Sequence, residues 1–145
     1  MVVALMLFAE NEGLGKQCLT IAVDRELLQE GPNGYQGMQL GIVKMRLIMG
    51  QLRAMPHIPR SYVNGATPEN GYRLPDPPYT FDISTNPYSG DPESGTLKLY
   101  VASSGAASPR PITVQRNNRG IWKAAEWSSI LVGVQPPAIE EDDPL

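Results

Sequence analysis

Metal and thiol chemistry are almost absent from this chain's alphabet. It has one cysteine, Cys18, and one histidine, His57, among 145 residues. A single cysteine cannot form an internal disulfide, and Cys18 and His57 together fall short of the ligand sets that zinc sites require. Long apolar runs are also missing. No stretch approaches the ~20 residues that cross a bilayer, so no membrane span is expected. The apolar start, Met1 to Ala9, lacks a basic leader and runs directly into Glu10 and Glu12. It therefore predicts no cleavable export signal and, by default, a cytoplasmic protein or one built into a cytoplasmically assembled particle.

Charge of one sign is equally scarce. Glu140, Glu141, Asp142 and Asp143 cluster near the end, and setting them aside from the 15 acids leaves 11 against 12 bases. A neutral body lacks the basic footprint of a nucleic-acid binder. The expected organisation is one domain over residues 1–137 followed by an acidic tail over 138–145. At this length one core can bury enough surface to stand without covalent staples.

What the chain has in quantity is glycine and proline, 14 of each, and their placement divides it into three textures. The first is helical, with expected helices at about 2–9, 16–30 and 38–55. Leu19, Val23, Leu27 and Leu28 recur at helical spacing, and Gly31-Pro32-Asn33-Gly34 reads as the turn that ends this helix. Leu40, Val43, Leu47, Ile48 and Leu52 form the stripe of the third helix, weakened by Gly41 and Gly50 and stopped by Pro56. Residues 56–92 hold eight of the 14 prolines. They also hold Tyr62, Val63, Tyr72, Tyr79, Phe81 and Tyr88, too much apolar surface for a free linker. A stiff loop layer packed over the core is expected, with one strand at 79–84. The last texture is an antiparallel meander with strands at about 96–102, 111–116, 120–125 and 130–134. Its evidence is the period-two alternation of Leu97, Leu99 and Val101 and of Ile112 and Val114, and the turn residues Asn117-Asn118-Arg119-Gly120. Helix and strand remain alternatives for the apolar run 130–134. The fold class is α+β, with N-terminal helices packed on a C-terminal antiparallel sheet.

No catalytic, cofactor-binding or metal-binding set emerges. A Cys18/His57 nucleophile pair is formally available, but Cys18 sits among Leu19 and Ile21, where a free cysteine behaves as a small hydrophobe. Gly13-x-Gly15-Lys16 has neither the third glycine nor the lysine spacing of a phosphate loop. Ser61, Ser128 and Ser129 stand outside any Gly-x-Ser-x-Gly elbow. Asp76, Asp82, Asp91 and Glu93 follow no calcium-loop spacing. The segment from Arg60 to Tyr72 is the densest in turn-specific residues. It reads either as a loop tied down by its own tyrosines or as a recognition loop. On the second reading the interaction anchors are Arg60, Tyr62 and Tyr72, joined by Tyr88, Arg110 and Trp127.

Three pieces carry a resemblance: Arg60 to Tyr72, Asn86-Pro87-Tyr88-Ser89, and Ser108-Pro109-Arg110-Pro111 with the stretch Trp122 to Val134. Together they resemble an uncharacterised bacterial domain-of-unknown-function family, which implies a bacterial or phage-like origin and no particular mechanism. The hairpin ending in Gly120-Ile121-Trp122-Lys123 is also similar to the last strands of NTF2-like α+β folds. The expected function is a non-catalytic structural or interaction protein, a subunit or accessory of a larger assembly whose partners are other protein chains, of its own or another kind. The alternative is a small-molecule-binding or enzymatic domain with a pocket between the long helix and the sheet, lined by tyrosine and tryptophan.

Overall fold

The computed structural model describes residues 1–138, so the acidic cluster Glu140 to Asp143 lies outside the described residues. The chain begins with a helical hairpin, α1 (Val2–Glu10) and α2 (Glu12–Ala22). Asn11 makes the corner. It terminates α1 in an extended conformation, and its side chain accepts a hydrogen bond from the Leu14 N–H at 3.1 Å, capping α2. Gly15 lets the two helices meet backbone to backbone, because a Cβ there would stand 2.2 Å from the Phe8 Cα. Val2, Leu5 and Phe8 of α1 and Leu19 of α2 are thereby driven into the core.

The expected helix over 16–30 is corrected here: α2 starts earlier and stops at Ala22. Val23 turns extended, and Asp24 caps a short 3-10 turn, Arg25–Leu27, by accepting from the Glu26 N–H. The chain then enters a two-stranded hairpin of β1 (Leu28–Tyr35) and β2 (Met38–Leu40). Gly31 to Gly34 is not the turn ending a helix but a bulge inside β1, since Glu30 and Tyr35 both pair with Met38. The actual turn is Gln36-Gly37, both at positive φ, as a tight type I′ connection requires.

Because β2 takes residues 38–40, the third helix begins at Ile42 and not at Met38: α3 spans Ile42–Ala54, with Gly41 as its N-cap. Leu40, Ile48 and Leu52 of the expected stripe are buried, but Val43 is 80% exposed. Leu40 belongs to β2, and Val43, in the first turn of α3, faces outward.

Residues 55–95 form the expected turn-rich layer, with 3-10 turns at Ile58–Tyr62, Pro68–Asn70 and Pro92–Ser94. Its first half is core: Ile58, Tyr62, Val63, Ala66 and Tyr72 are buried. Its second half is not, and Tyr79, Ile83 and Tyr88 face outward. The expected strand 79–84 shrinks to β3 (Ile83–Ser84).

The main sheet is antiparallel in the order β3-β4-β5-β6, with β4 at Thr96–Val101, β5 at Arg110–Arg116 and β6 at Trp122–Glu126. Pairing runs from Thr96↔Gln115 to Val101↔Arg110, and a bulge displaces β6 between Thr113 and Val114. The Asn117 to Gly120 turn is closed by the Asn117 side chain, which accepts from the N–H groups of Arg119 and Ile121. On the outer side of β6, Val23 bridges Ala124 and the Asp24 N–H donates to the Ala124 carbonyl at 2.8 Å. This joins the helical half to the sheet. The expected strand 130–134 is instead a 3-10 turn, Ser128–Leu131, leading into a non-helical segment. One hydrophobic cluster draws on residues from Val2 to Val134.

Candidate functional site

A chain segment outside helix and sheet still has to satisfy its carbonyls. Residues 127–135 do so through side chains reaching in from four distant elements. Tyr62 donates its hydroxyl to the Ile130 carbonyl at 2.7 Å, and Gln51 donates Nε2 to the Leu131 carbonyl at 2.7 Å. Arg110 donates Nη2 to the Gly133 carbonyl at 3.0 Å, and the Tyr72 hydroxyl donates to the Gln135 carbonyl at 2.6 Å. Gly133 lies at positive φ, which turns its carbonyl toward the guanidinium, and a Cβ there would meet Arg110 Nη2 at 2.2 Å. The segment is thus a strap, held by four grips onto a core it completes with Trp127, Ile130, Leu131 and Val134.

This arrangement brings together three of the six anchors expected from sequence and turns them inward. Tyr62 and Tyr72 are fully enclosed, so they cannot meet a partner. Their hydroxyls are held in the neutral form by burial, with the Glu69 charge adding to the effect at Tyr72. Arg110 is half-buried and committed to Gly133. Trp127 is buried as well. Lys44 sits over its ring at 5.6 Å and lies 4.0 Å from Glu126, whose carboxyl is held below its usual range chiefly by the Ser128 hydroxyl. Arg60 is half-buried beside α1, lining a cleft of about 150 Å³ with Met6, Glu10, Pro56 and Leu74. Only Tyr88 keeps the exposure its role would need, at 88%, held out by an Asn86 turn. Within residues 60–72 the two tyrosines thus pack inward, against the strap.

His57 stacks on Tyr72, and its Nε2 is enclosed without a hydrogen-bond partner. Burial pushes its pKa down and the Arg60 charge adds to this, while the Gln135 backbone works the other way. A neutral ring in an aromatic stack is packing, and Cys18 lies half-buried on α2. Among the described residues, no three His, Cys, Asp or Glu side chains gather as a metal site would need.

Three further concave surfaces bear on function. A polar depression of about 240 Å³ lies between residues 61–67 and 102–104. Its serines are already engaged: Ser61 donates to the Ile58 carbonyl, Ser103 to Ser61, and Ser104 to the Ala66 carbonyl. An apolar recess of about 190 Å³ lies between the first turn of α1 and the sheet, walled by Val2, Phe81, Ile83, Leu99, Val101 and Ile112. It is aliphatic and phenylalanine-lined, not the expected tyrosine and tryptophan pocket, since Tyr72 and Trp127 are packed solid.

The largest of the three, about 280 Å³, is a groove between the β1–β2 hairpin and α3. Leu40, Ile42, Met45 and Met49 make its apolar walls, and Lys16 and Arg46 stand at its rim. The apolar surface continues past the groove to Val43. None of these residues is among the interaction anchors expected from sequence, where Leu40 and Val43 belong to the core stripe of a helix. The signal existed in the methionines and in Ile42-Val43, but it becomes readable only once β2 is known to end at Leu40.

The fold and these surfaces define a small α+β domain in which Tyr62, Tyr72 and Arg110 are spent on its own closure. The chain belongs to the family described as a domain of unknown function (DUF6935), whose profile covers residues 1–138. No curated protein and no solved structure matches it, and the likeness to NTF2-like folds finds no support. Among the described residues, no helix is long and apolar enough to cross a membrane.

Proposed function

We propose that this domain is a non-catalytic protein-interaction module, a subunit or accessory of a larger bacterial or phage-like assembly in the cytoplasm. The observation that carries the reading is the surface left over once the strap is closed. At the start of α3, Ile42 is 54% exposed and Val43 80% exposed, beside an apolar groove with a cationic rim. Covering a large aliphatic side chain contributes about 1.5–3 kcal/mol. Two adjacent ones left in water beside a methionine-lined groove favour association over solvent exposure. A photo-crosslinking residue at Val43, in cells making the protein, is expected to give adducts of higher mass. The same residue at Asn118, on the exposed β5–β6 turn, is expected to give none. Absence of adducts at position 43 would overturn the reading.

One observation favours a second reading, small-molecule binding. The recess between α1 and the sheet is comparable in size to dry apolar cavities that hold benzene. A rise in melting temperature with small apolar ligands, abolished by Leu99→Trp, is the expected result if this recess is the functional site.

A further inference from the structure

The α3–hairpin groove is chemically one-sided. Both charged side chains at its rim, Lys16 and Arg46, are cations, and the other polar side chains there are the neutral amides of Asn33 and Gln39. Lys16 and Arg46 make no ion pair among the described residues, whereas Arg53 is bound to Glu12 at 2.7 Å and Lys44 lies 4.0 Å from Glu126. Lys16 does bear on Glu12, one helical turn away, but that carboxylate is already held chiefly by Arg53. Gln39 has its Oε1 occupied by the Asn33 N–H at 3.1 Å, which leaves its amide N–H₂ as another donor. No carboxylate lines the groove. Between these donors the walls are Leu40, Met45 and Met49, flexible enough to adapt to an inserted side chain.

Resting on the interaction reading above, the geometry points to one occupant: an acidic segment of a partner protein that seats a large apolar side chain between Leu40, Met45 and Met49 and sets carboxylates against Lys16 and Arg46. Charge complementarity selects the acidic character, because a cationic or neutral segment would leave both cations uncompensated beside desolvated apolar surface. The continuation of apolar surface past Ile42 onto Val43 selects a chain over a small amphiphile, since a compact ligand filling the groove would leave Val43 exposed.

The test uses fluorescein-labelled peptides and the intact protein, with binding read by anisotropy. One peptide places leucines among glutamates, a second replaces the glutamates by lysine, and a third replaces the leucines by alanine. Only the first is expected to bind, and more weakly as salt is raised. Arg46→Glu is expected to weaken it about tenfold and to bring the lysine peptide above the glutamate peptide in affinity. Both Arg46 and Lys16 are on the surface, and circular dichroism checks that the variants fold. Binding indifferent to peptide charge, or unchanged in Arg46→Glu and Lys16→Glu, overturns the inference. So does a preference for laurate over the peptide, or a dimer in light scattering that Val43→Asp dissociates. If no peptide binds while adducts still form at position 43, this inference fails and the interaction reading stands.

Discussion

The ring of His57 lies on the ring of Tyr72, 5.0 Å between centroids and 15° between planes. Tyr72 in turn donates a hydrogen bond from its hydroxyl to the Gln135 carbonyl. The only histidine is therefore coupled, through one aromatic stack, to the last grip on the strap. Its pKa is depressed below the ordinary 6.5, first by burial and then by Arg60. The unfolded chain takes up this proton more readily than the folded one. Stability from this group is full above about pH 6.5 and is lost as pH falls below it, levelling off beneath the folded pKa. Melting temperature measured from pH 7.5 down to pH 5 should fall more steeply for the natural protein than for His57→Phe. Parallel curves would show that the histidine is not held neutral.

Removing a grip should cost about what an orphaned buried carbonyl costs. Tyr72→Phe and Tyr62→Phe each delete one hydroxyl and nothing else, leaving the Gln135 or Ile130 carbonyl without its donor. Each is expected to lower unfolding free energy by about 1–3 kcal/mol, read from urea titrations. A change well below that for Tyr62, whose partner carbonyl is the more deeply enclosed, would mean the carbonyl finds another donor.

Gly15 and Gly50 should respond in opposite directions to alanine. At Gly15 the new methyl would stand 2.2 Å from backbone of α1, which cannot yield without parting the helices. A loss of about 3 kcal/mol is expected. At Gly50, exposed on α3, nothing lies within 4 Å of the methyl, so about 0.8–1 kcal/mol should be gained from helix propensity alone. Thermal melts of the two variants, on either side of the natural protein, are the check.

Arg110 and Gly133 should behave as one unit. Gly133→Ala meets strain at positive φ and displaces the guanidinium, while Arg110→Met removes the donor directly. Each is expected to cost about 1–2 kcal/mol, and the pair less than the sum, because both break the same bond. Additive losses in a double-mutant cycle would separate them.

Where one face of an element is buried and the other wet, the sequence was readable. Leu97, Leu99 and Val101 alternate because β4 lies on the core, and Asn117 to Gly120 carries the residues its turn demands. The β1–β2 hairpin escaped because it has almost no buried face to write a pattern. Its first strand is mostly exposed and contains Gly31, Pro32, Asn33 and Gly34, residues that ordinarily break strands. Leu27 and Leu28, on the edge of this hairpin, happened to continue the helical spacing of α2. The run 130–134 failed for another reason. Ile130, Leu131 and Val134 are buried, but the backbone here is satisfied by Tyr62, Gln51, Arg110 and Tyr72, and such long-range grips leave no local periodicity. The same fact explains the anchors. Tyrosine and arginine are the residues of interfaces, and here the interface is between parts of one chain.

The strap also sets an order of events for a growing chain. Its grips span up to 80 residues of sequence, and closing such long loops is entropically late. Until synthesis has passed Gln135, Ile48, Leu52, Ile58 and Tyr62 have no Trp127, Ile130 or Leu131 to pack against. A ribosome-bound chain shorter than this would present a helical hairpin and an open core, a form for chaperones to guard. The protein should gain resistance to protease as one late step, when its last strap residues emerge.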